Sequence, residues 1–159
     1  MHIIVDDLTH PAIHALLEEH LADMRATSPP ESVHALDLTG LRHPSITFIS
    51  AWEQGSLQRT LQGTLLGCIA IKLLDAQQAE IKSMRTPKAA RGKGTAKQLL
   101  KHLIAFAEQR GIRTLYLETG SMAFFEPARQ LYLSHGFEFC GPFADYTDDP
   151  NSCFMTRTL

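Results

Sequence analysis

The sequence predicts an α/β fold in which a mixed, mostly antiparallel sheet of six to seven strands is flanked by about four helices. Three β-rich segments, 45–52, 64–74 and 77–85, follow one another through turns, which is typical of an antiparallel meander with a variable loop at 53–63. The last of them leads through a glycine turn and an amphipathic helix into an apolar strand at 114–119. Such a strand–helix–strand unit joins parallel neighbours, so the sheet must be mixed.

The N-terminal part is predicted to contain one strand and two helices. Residues 2–6 form a short strand, and a helix runs from Pro11 to about Arg25, since proline suits the first helical position and apolar residues recur with helical spacing. A second short helix is predicted over 28–36, because serine, proline and glutamate stand where a capping box needs them. The Thr-Gly pair at 39–40 is expected to end it.

The C-terminal part begins with the main helix, predicted over 94–110 from six apolar residues at helical spacing, with Gly111 directly after its end. A second helix at 127–135 is ended by Gly136. Two closing strands complete the order β-α-α-β-β-β-α-β-α-β-β. They are predicted over 137–143 and 153–158.

Composition bounds the class of protein. With 159 residues, 44% of them hydrophobic, the chain is expected to form one globular domain over residues 1–159. It has no run of about eighteen apolar residues, and its start lacks a basic region followed by a long apolar segment. We therefore expect a soluble, cytoplasmic protein without a membrane partner.

The cysteines and histidines do not indicate a disulfide or a metal site. Cys68, Cys140 and Cys153 are odd in number, widely spaced and set in apolar runs, which predicts buried free thiols. His10 and His14 have the spacing of two ligands on one helix face, but no third suitable ligand lies nearby. No metal is expected.

Positive charge is concentrated in one stretch. Between Ile81 and Ala107 the chain has seven of its 15 lysines and arginines and no acidic residue, although 17 acidic residues give it a net charge of −2. A local basic field attracts a polyanionic ligand to one place, whereas a nucleic-acid coat protein would be basic throughout. Residues 82–101 also contain no aromatic residue for base stacking, so no nucleic-acid partner is expected.

This basic stretch contains a glycine turn that opens into the main helix. Glycines permit positive φ and close approach to a ligand, and the first N–H groups of a helix are unpaired and carry the positive end of its dipole. The sequence therefore predicts an anion site in this turn, with phosphate as the expected ligand. The turn consists of Arg91, Gly92, Lys93, Gly94, Thr95 and Ala96.

The turn fits neither the P-loop nor the dinucleotide-binding pattern, but it reads R-x-x-G-x-A. This resembles the [Q/R]-x-x-G-x-[G/A] pattern of the GNAT superfamily of acetyl-CoA-dependent N-acetyltransferases. The preceding strand at 79–84 is also similar to that superfamily, and residues 128–137 look like its A-x-x-L-Y-x-x-x-G-F segment. The chain is thereby identified as a member, and a GNAT-like fold is expected.

The resemblance implies acetyl-CoA as co-substrate. Its pyrophosphate is expected on the backbone amides of the glycine turn, and its pantetheine arm along Met84 and Thr86, where the sheet opens. A backbone N–H near Met84 would polarise the thioester carbonyl. Ala128, in the later helix, is assigned to cofactor binding, and Phe125 stands where many members have an asparagine.

Acetyl transfer to an amine requires a base for an ammonium of pKa about 10 and an acid for a thiolate of pKa about 8.5. The resemblance assigns the acid to Tyr132 and the base to Glu80. Glu118 competes as base, because strand alternation places it on one face with Tyr116, and a water chain is a third alternative. Cys68 and Cys140 lie in strand-like apolar runs with no adjacent base, so direct attack in a ternary complex is expected.

The acceptor is predicted to be an amine of a small molecule or peptide. If the acidic loop at 145–152 lines the cleft, a cationic amine fits; if Arg85 and His34 line it, an amino acid or another carboxylate-bearing amine fits better. Glu31 and Ser32 are further candidates. A homodimer is the default oligomer.

The alternative is a GNAT-like module that binds acyl-CoA without turnover. Such a module would need the glycine turn but neither an acid nor a base. The presence of Tyr132 favours an enzyme.

Overall fold

The computed structural model describes residues 1–53 and 63–159, so the loop predicted at 53–63 lies, apart from its two end residues, outside the described part. The described chain contains β1 (His2–Val5), β2 (Ile46–Trp52), β3 (Leu65–Leu73), β4 (Gln78–Arg85), β5 (Thr114–Gly120), β6 (Glu138–Cys140) and β7 (Ser152–Thr158). They form one sheet in the order β1-β2-β3-β4-β5-β7-β6. All neighbours are antiparallel except β4 and β5, which are parallel. The predicted mixed sheet is confirmed.

Helices cover both faces of this sheet. The described chain contains α1 (Pro11–Thr27), α2 (Leu38–Leu41), α3 (Thr95–Gln109) and α4 (Glu126–Ser134). Leu99 and Leu103 of α3 are fully buried on one face, and Ile13 and Leu17 of α1 are buried on the other. Full burial of each such side chain contributes about 1.5–3 kcal/mol, so these two clusters hold the helices on the sheet. No helix in the described part is long and apolar enough to cross a membrane.

The second helix predicted over 28–36 is wrong. Only Pro30–Ser32 form a single 3-10 turn there. Ser28 ends α1, which runs two residues further than predicted, instead of starting a new helix. The next helix begins after Asp37, whose carboxylate accepts the N–H of Gly40 at 2.8 Å, so the pair predicted to end a helix lies inside one. Aspartate is a strong N-cap, and here it sets the start of α2.

The other predicted elements are confirmed with shifts of one or two residues, with one exception. The strand predicted over 137–143 contains only the three residues of β6. All three cysteines are free, but only Cys68 is buried, whereas Cys140 and Cys153 are half-buried. The prediction of three buried thiols was therefore wrong for two of them.

Strands β4 and β5 are paired only at their beginnings. Their pairs run from Gln78–Thr114 to Ile81–Leu117, and the pairing stops there. On its other edge β4 has a bulge, because it advances three residues while β3 advances two, from Cys68 to Ala70. The two parallel strands therefore separate into a fork, as the resemblance implied.

Candidate active site

A cleft of about 370 Å³ occupies the fork between β4 and β5. Its other walls come from the start of α3, from α4, and from the end of α1 together with residues 32–35. Seven residues assigned from the sequence line it: Glu80, Met84, Thr86, Arg91, Ala96, Ala128 and Tyr132. The remaining four, Gly92, Lys93, Gly94 and Thr95, belong to the turn between Arg91 and Ala96.

The glycine turn has the geometry of an anion site. Gly92 has a φ of 80° and Gly94 a φ of 76°, values that favour glycine. Gly94 is the N-cap of α3 and provides no side-chain cap, and the first turn of the helix has no acidic residue. The buried hydroxyl of Thr95 has no partner among the described residues. A methyl group on either glycine would meet no protein atom within 4 Å, so the space beside the turn is open to a ligand.

A network of three side chains connects β4 to the loop before β7. The Tyr146 hydroxyl donates to Glu80 Oε2 at 2.5 Å, and Lys82 Nζ donates to the same oxygen at 3.1 Å and to the Tyr146 hydroxyl oxygen at 3.1 Å. Glu80 is only 3% exposed, so it is a bonded, buried carboxylate. Burial, reinforced by the Glu80 charge, raises the pKa of Tyr146, so the phenol keeps its proton. No sequence pattern indicates this pairing across 66 residues.

Glu118 is the first residue of β5 beyond the last pair with β4, and it lines the cleft. Leu115 and Leu117 are buried in the core on the opposite face, as the alternation predicted. Burial raises the pKa of Glu118 to about 7, although Ser152 and Lys82 act in the opposite direction. A carboxyl group that titrates near neutral pH inside a cleft is suited to general base catalysis.

Tyr132 places a phenol on the α4 side of the cleft. Its side chain is 6% exposed, and its ring packs edge-on against Phe137 with centroids 5.6 Å apart. Burial raises the pKa of Tyr132 above its usual value, so the hydroxyl is protonated at neutral pH. The residue is therefore in the right state for a proton donor.

Arg85 lines the cleft and also faces α1. Its Nη2 donates to Glu19 Oε1 at 2.8 Å and to Asp23. The hydrogen bond with Arg85 lowers the pKa of Asp23. These two ion pairs were not predicted; the spacing of four residues that places Glu19 and Asp23 on one helix face is the signal that could have indicated them.

The loop before β7 closes one side of the cleft. Ser32 Oγ donates to Asp149 Oδ2 at 2.5 Å, and the His34 ring packs edge-on against Tyr146 at a centroid distance of 5.0 Å. Ser32 and His34 line the cleft together with Tyr146. Glu31 is exposed outside it, and the predicted acidic loop contributes its tyrosine to the lining rather than its carboxylates.

The two histidines that have the spacing of metal ligands have structural partners. His10 Nδ1 accepts the N–H of Ala12 at 3.0 Å, which caps α1, and His14 Nε2 lies 2.6 Å from the carbonyl oxygen of Leu8. Within residues 1–53 and 63–159 no group of three or more His, Cys, Asp or Glu side chains could hold a metal ion.

Comparison with known proteins decides the family. Residues 13–137 match the family described as Acetyltransferase (GNAT) family. The chain belongs to this family. It is 56% identical over 159 residues to the uncharacterized N-acetyltransferase YsnE of Bacillus subtilis strain 168, with 100% of both chains covered. It is 47% identical over 157 residues to the uncharacterized N-acetyltransferase YedL of Escherichia coli K12, with 99% and 94% covered.

A solved GNAT family acetyltransferase from Elizabethkingia anophelis with acetyl-CoA bound has a TM-score of 0.64 and 18% identity, and 99% of this chain and 97% of that chain are covered. At this identity the likeness shows the fold alone. The predicted GNAT acetyltransferase fold and enzyme class are confirmed for this chain. The roles of individual residues stay predictions.

Proposed function

We propose that this GNAT acetyltransferase moves the acetyl group of acetyl-CoA to a primary amine of a small molecule or peptide, by direct attack in a ternary complex. The observation that carries the proposal is the cleft at the β4–β5 fork. One end of it reaches the uncapped N-terminus of α3, and its walls hold two phenols and two carboxylates. The acetyl-CoA bound to the Elizabethkingia protein supports the same co-substrate here.

The pyrophosphate would lie on the backbone N–H groups of the glycine turn. Gly92 and Gly94 leave that space free of side chains, while Arg91 and Lys93 add positive charge.

The pantetheine arm would follow β4 past its bulge. Met84, on the separated part of β4, and Thr86, just after its end, line the cleft beyond the last pair with β5, where the arm could pair with the backbone. Ala96 and Ala128 line the opposite walls with small side chains, which leaves width for the arm. A backbone N–H near Met84 would then stabilise the developing oxyanion.

Tyr132 would donate a proton to the departing sulfur, since its phenol is protonated and lines the cleft. The base would be a carboxylate at the fork, acting directly or through water. Glu80 Oε2 already accepts two hydrogen bonds, whereas Glu118 lies at the fork with a pKa raised to about 7 by burial. We therefore place Glu118 first and keep Glu80 as the alternative.

Direct transfer is favoured over a cysteine intermediate. Cys68 is fully buried, and its thiol donates to the carbonyl oxygen of Ser83 at 3.2 Å. Burial raises the pKa of Cys68 to about 12, so at neutral pH it is a thiol and a poor nucleophile.

Calorimetric titration with acetyl-CoA, with 3′-dephospho-CoA for comparison, tests the cofactor site. We expect micromolar binding that Gly94→Glu abolishes, because the new carboxylate would occupy the anion site. Gly111→Glu is the matched control, since Gly111 lies at the other end of α3 with a φ of 77° and the same free space. Both variants impose similar backbone strain. If Gly111→Glu still binds acetyl-CoA, strain is not the cause of the loss of binding in Gly94→Glu.

A thiol-release assay with a panel of amines then tests turnover. Release that depends on both acetyl-CoA and an amine supports the proposal. Tight acetyl-CoA binding without release for any amine would favour the non-catalytic module.

A further inference from the structure

Three buried polar atoms have no partner in the described chain and belong to residues that line the cleft. They are His20 Nδ1, Ser83 Oγ and Arg85 Nε. His20 is 9% exposed and Arg85 is 6% exposed. Folded proteins leave few such atoms unpaired, and those that occur call for an explanation. None of the three atoms has accessible surface among the described residues, so a ligand group would bond to this wall, where α1 meets β4, only after one of these side chains shifts towards the cleft.

The charge of the wall restricts that ligand group. Arg85 donates to two carboxylates of α1, Glu19 and Asp23, so one positive charge faces two negative charges. Burial and the Arg85 charge lower the pKa of His20 to about 4, so this histidine is neutral and adds no cation.

The neighbouring part of the cleft does not supply the missing positive charge. Lys82 lines it, but its ammonium is bound to Glu80 at 3.1 Å. Glu118 lies beside this pair and contributes a further negative charge when ionised. Arg85 and His34 both line the cleft, the arrangement expected from the sequence to suit a carboxylate-bearing amine, but Arg85 is already paired with Glu19 and Asp23. The acceptor side therefore favours a cation over an anion.

A carboxylate on the acceptor would enter a partly buried site where Arg85 and Lys82 are already paired with carboxylates, which is electrostatically unfavourable. An ammonium would be attracted by the carboxylates. An uncharged oxygen would accept from the Arg85 Nε–H without adding negative charge, and the Ser83 hydroxyl could also donate to it.

We propose that the acceptor is a cationic amine with an uncharged oxygen close to it, an amide carbonyl or a hydroxyl, and that free amino acids are poor acceptors. The inference rests on the proposed function and deepens it. Arg85 is the residue that selects the uncharged oxygen, with Ser83 and His20 beside it.

Four amines that share one side chain and carry different groups beside the amine form the matched test. Phenylalaninamide, phenylalaninol, phenylalanine and phenethylamine differ only in the group beside the amine, and the series is repeated with the alanine, leucine and lysine side chains. We expect kcat/KM in the thiol-release assay to be at least tenfold higher for the amide or the alcohol than for the amino acid. It should also be several-fold higher than for the plain amine.

Arg85→Lys tests the selecting group, because lysine keeps the positive charge but has no Nε–H donor at this position. The preference for amide over plain amine should fall to within about twofold, while calorimetric binding of acetyl-CoA is retained. Arg25→Lys, an exposed residue of the same helix as Glu19 and Asp23, is the matched control and should keep the preference. Ser83→Ala is a second variant, and it too should reduce the preference for the amide over the plain amine. It keeps the inference testable if Arg85→Lys fails to fold.

The outcomes separate the inference from the proposed function. If amino acids are acetylated as well as their amides or better, the inference is wrong and the N-acetyltransferase function stands. If acetyl-CoA binds but no member of any series is acetylated, the proposed function fails and the inference fails with it. An unchanged preference in both Arg85→Lys and Ser83→Ala would also overturn it.

Discussion

The ring of Phe125 lies directly against the backbone of Gly120. A Cβ atom on Gly120 would be 2.1 Å from Cδ2 and 2.2 Å from Cε2 of Phe125. Gly120 is the last residue of β5, and Phe125 is the last residue of the 3-10 turn that leads into α4. The carbonyl oxygen of Gly120 also accepts from Arg129 Nη1 at 2.6 Å. This close contact therefore sets how α4, and Tyr132 on it, are placed beside the fork.

Gly120→Ala should destabilise the fold by about 1–3 kcal/mol, because the methyl group has no room and Phe125 must move. Since Phe125 lines the cleft, we also expect weaker acetyl-CoA binding. Urea unfolding and calorimetry measure the two effects. Adding Phe125→Leu to Gly120→Ala should recover part of the stability.

Gly141→Ala is the control for that substitution. A Cβ atom on Gly141 would meet no atom within 4 Å, so we expect a change of less than about 0.5 kcal/mol. Equal effects of Gly120→Ala and Gly141→Ala would show that the contact with Phe125 is not tight in solution.

The parts of the fold that local patterns encode were predicted from the sequence. The glycine turn is one example: both Gly92 and Gly94 have the positive φ that the anion-site prediction required. The alternation along β5 is another, since it placed Glu118 opposite Leu117. In both cases the cause is local backbone geometry, which neighbouring residues determine.

The parts that depend on distant contacts were not predicted. Ser32 pairs with Asp149 across 117 residues, and no local pattern indicates such a pair. The Tyr146–Glu80 hydrogen bond joins residues that are 66 positions apart, and no local pattern indicates it either. The predicted capping box failed because Ser28 is the C-cap of the preceding helix, where its backbone N–H donates to the carbonyl oxygen of Met24.

Tyr146→Phe should cost about 1–3 kcal/mol of stability. The substitution removes a donor from the buried Glu80 carboxylate but preserves the ring contacts with His34 and Phe143. Tyr116→Phe is the control, because the Tyr116 ring stacks on Phe143 at 4.8 Å and this stacking is retained. Urea unfolding of both variants should show a clear loss for Tyr146→Phe only, and equal stabilities would mean that the network contributes nothing in solution.

The pH dependence of activity should reflect the titration of the Glu118 carboxyl group. If its carboxylate is the base, kcat/KM rises as Glu118 loses its proton, with an inflection at about pH 7. Glu118→Gln should reduce kcat/KM by about a hundredfold or more and abolish this inflection, while Glu80→Gln keeps it. The opposite pattern would assign the base to Glu80, and an inflection present in both variants would exclude both carboxylates.

The same group makes stability depend on pH with a definite sign. The pKa of Glu118 in the folded state is about 7, above its ordinary value of 4.5, so the folded protein holds this proton more tightly than the unfolded chain. Its contribution to stability is fully present below about pH 4.5 and is lost as the pH rises to about 7. Glu118→Gln, which cannot ionise, should therefore raise the Tm relative to the parent more at pH 8 than at pH 5. Equal differences in thermal melts at the two pH values would contradict the raised pKa.

Tyr132→Phe should lower kcat by about a hundredfold or more without weakening acetyl-CoA binding. Phenylalanine retains the edge-on packing on Phe137, so only the proton donor is lost. Single-turnover kinetics at saturating acetyl-CoA, with Tyr116→Phe as the control, measure the chemical step directly. A structural anchor would behave differently: its loss would raise the Kd for acetyl-CoA and lower the Tm while leaving the rate of the bound complex unchanged. Calorimetry and thermal melts on the same samples therefore separate the acid from the anchor.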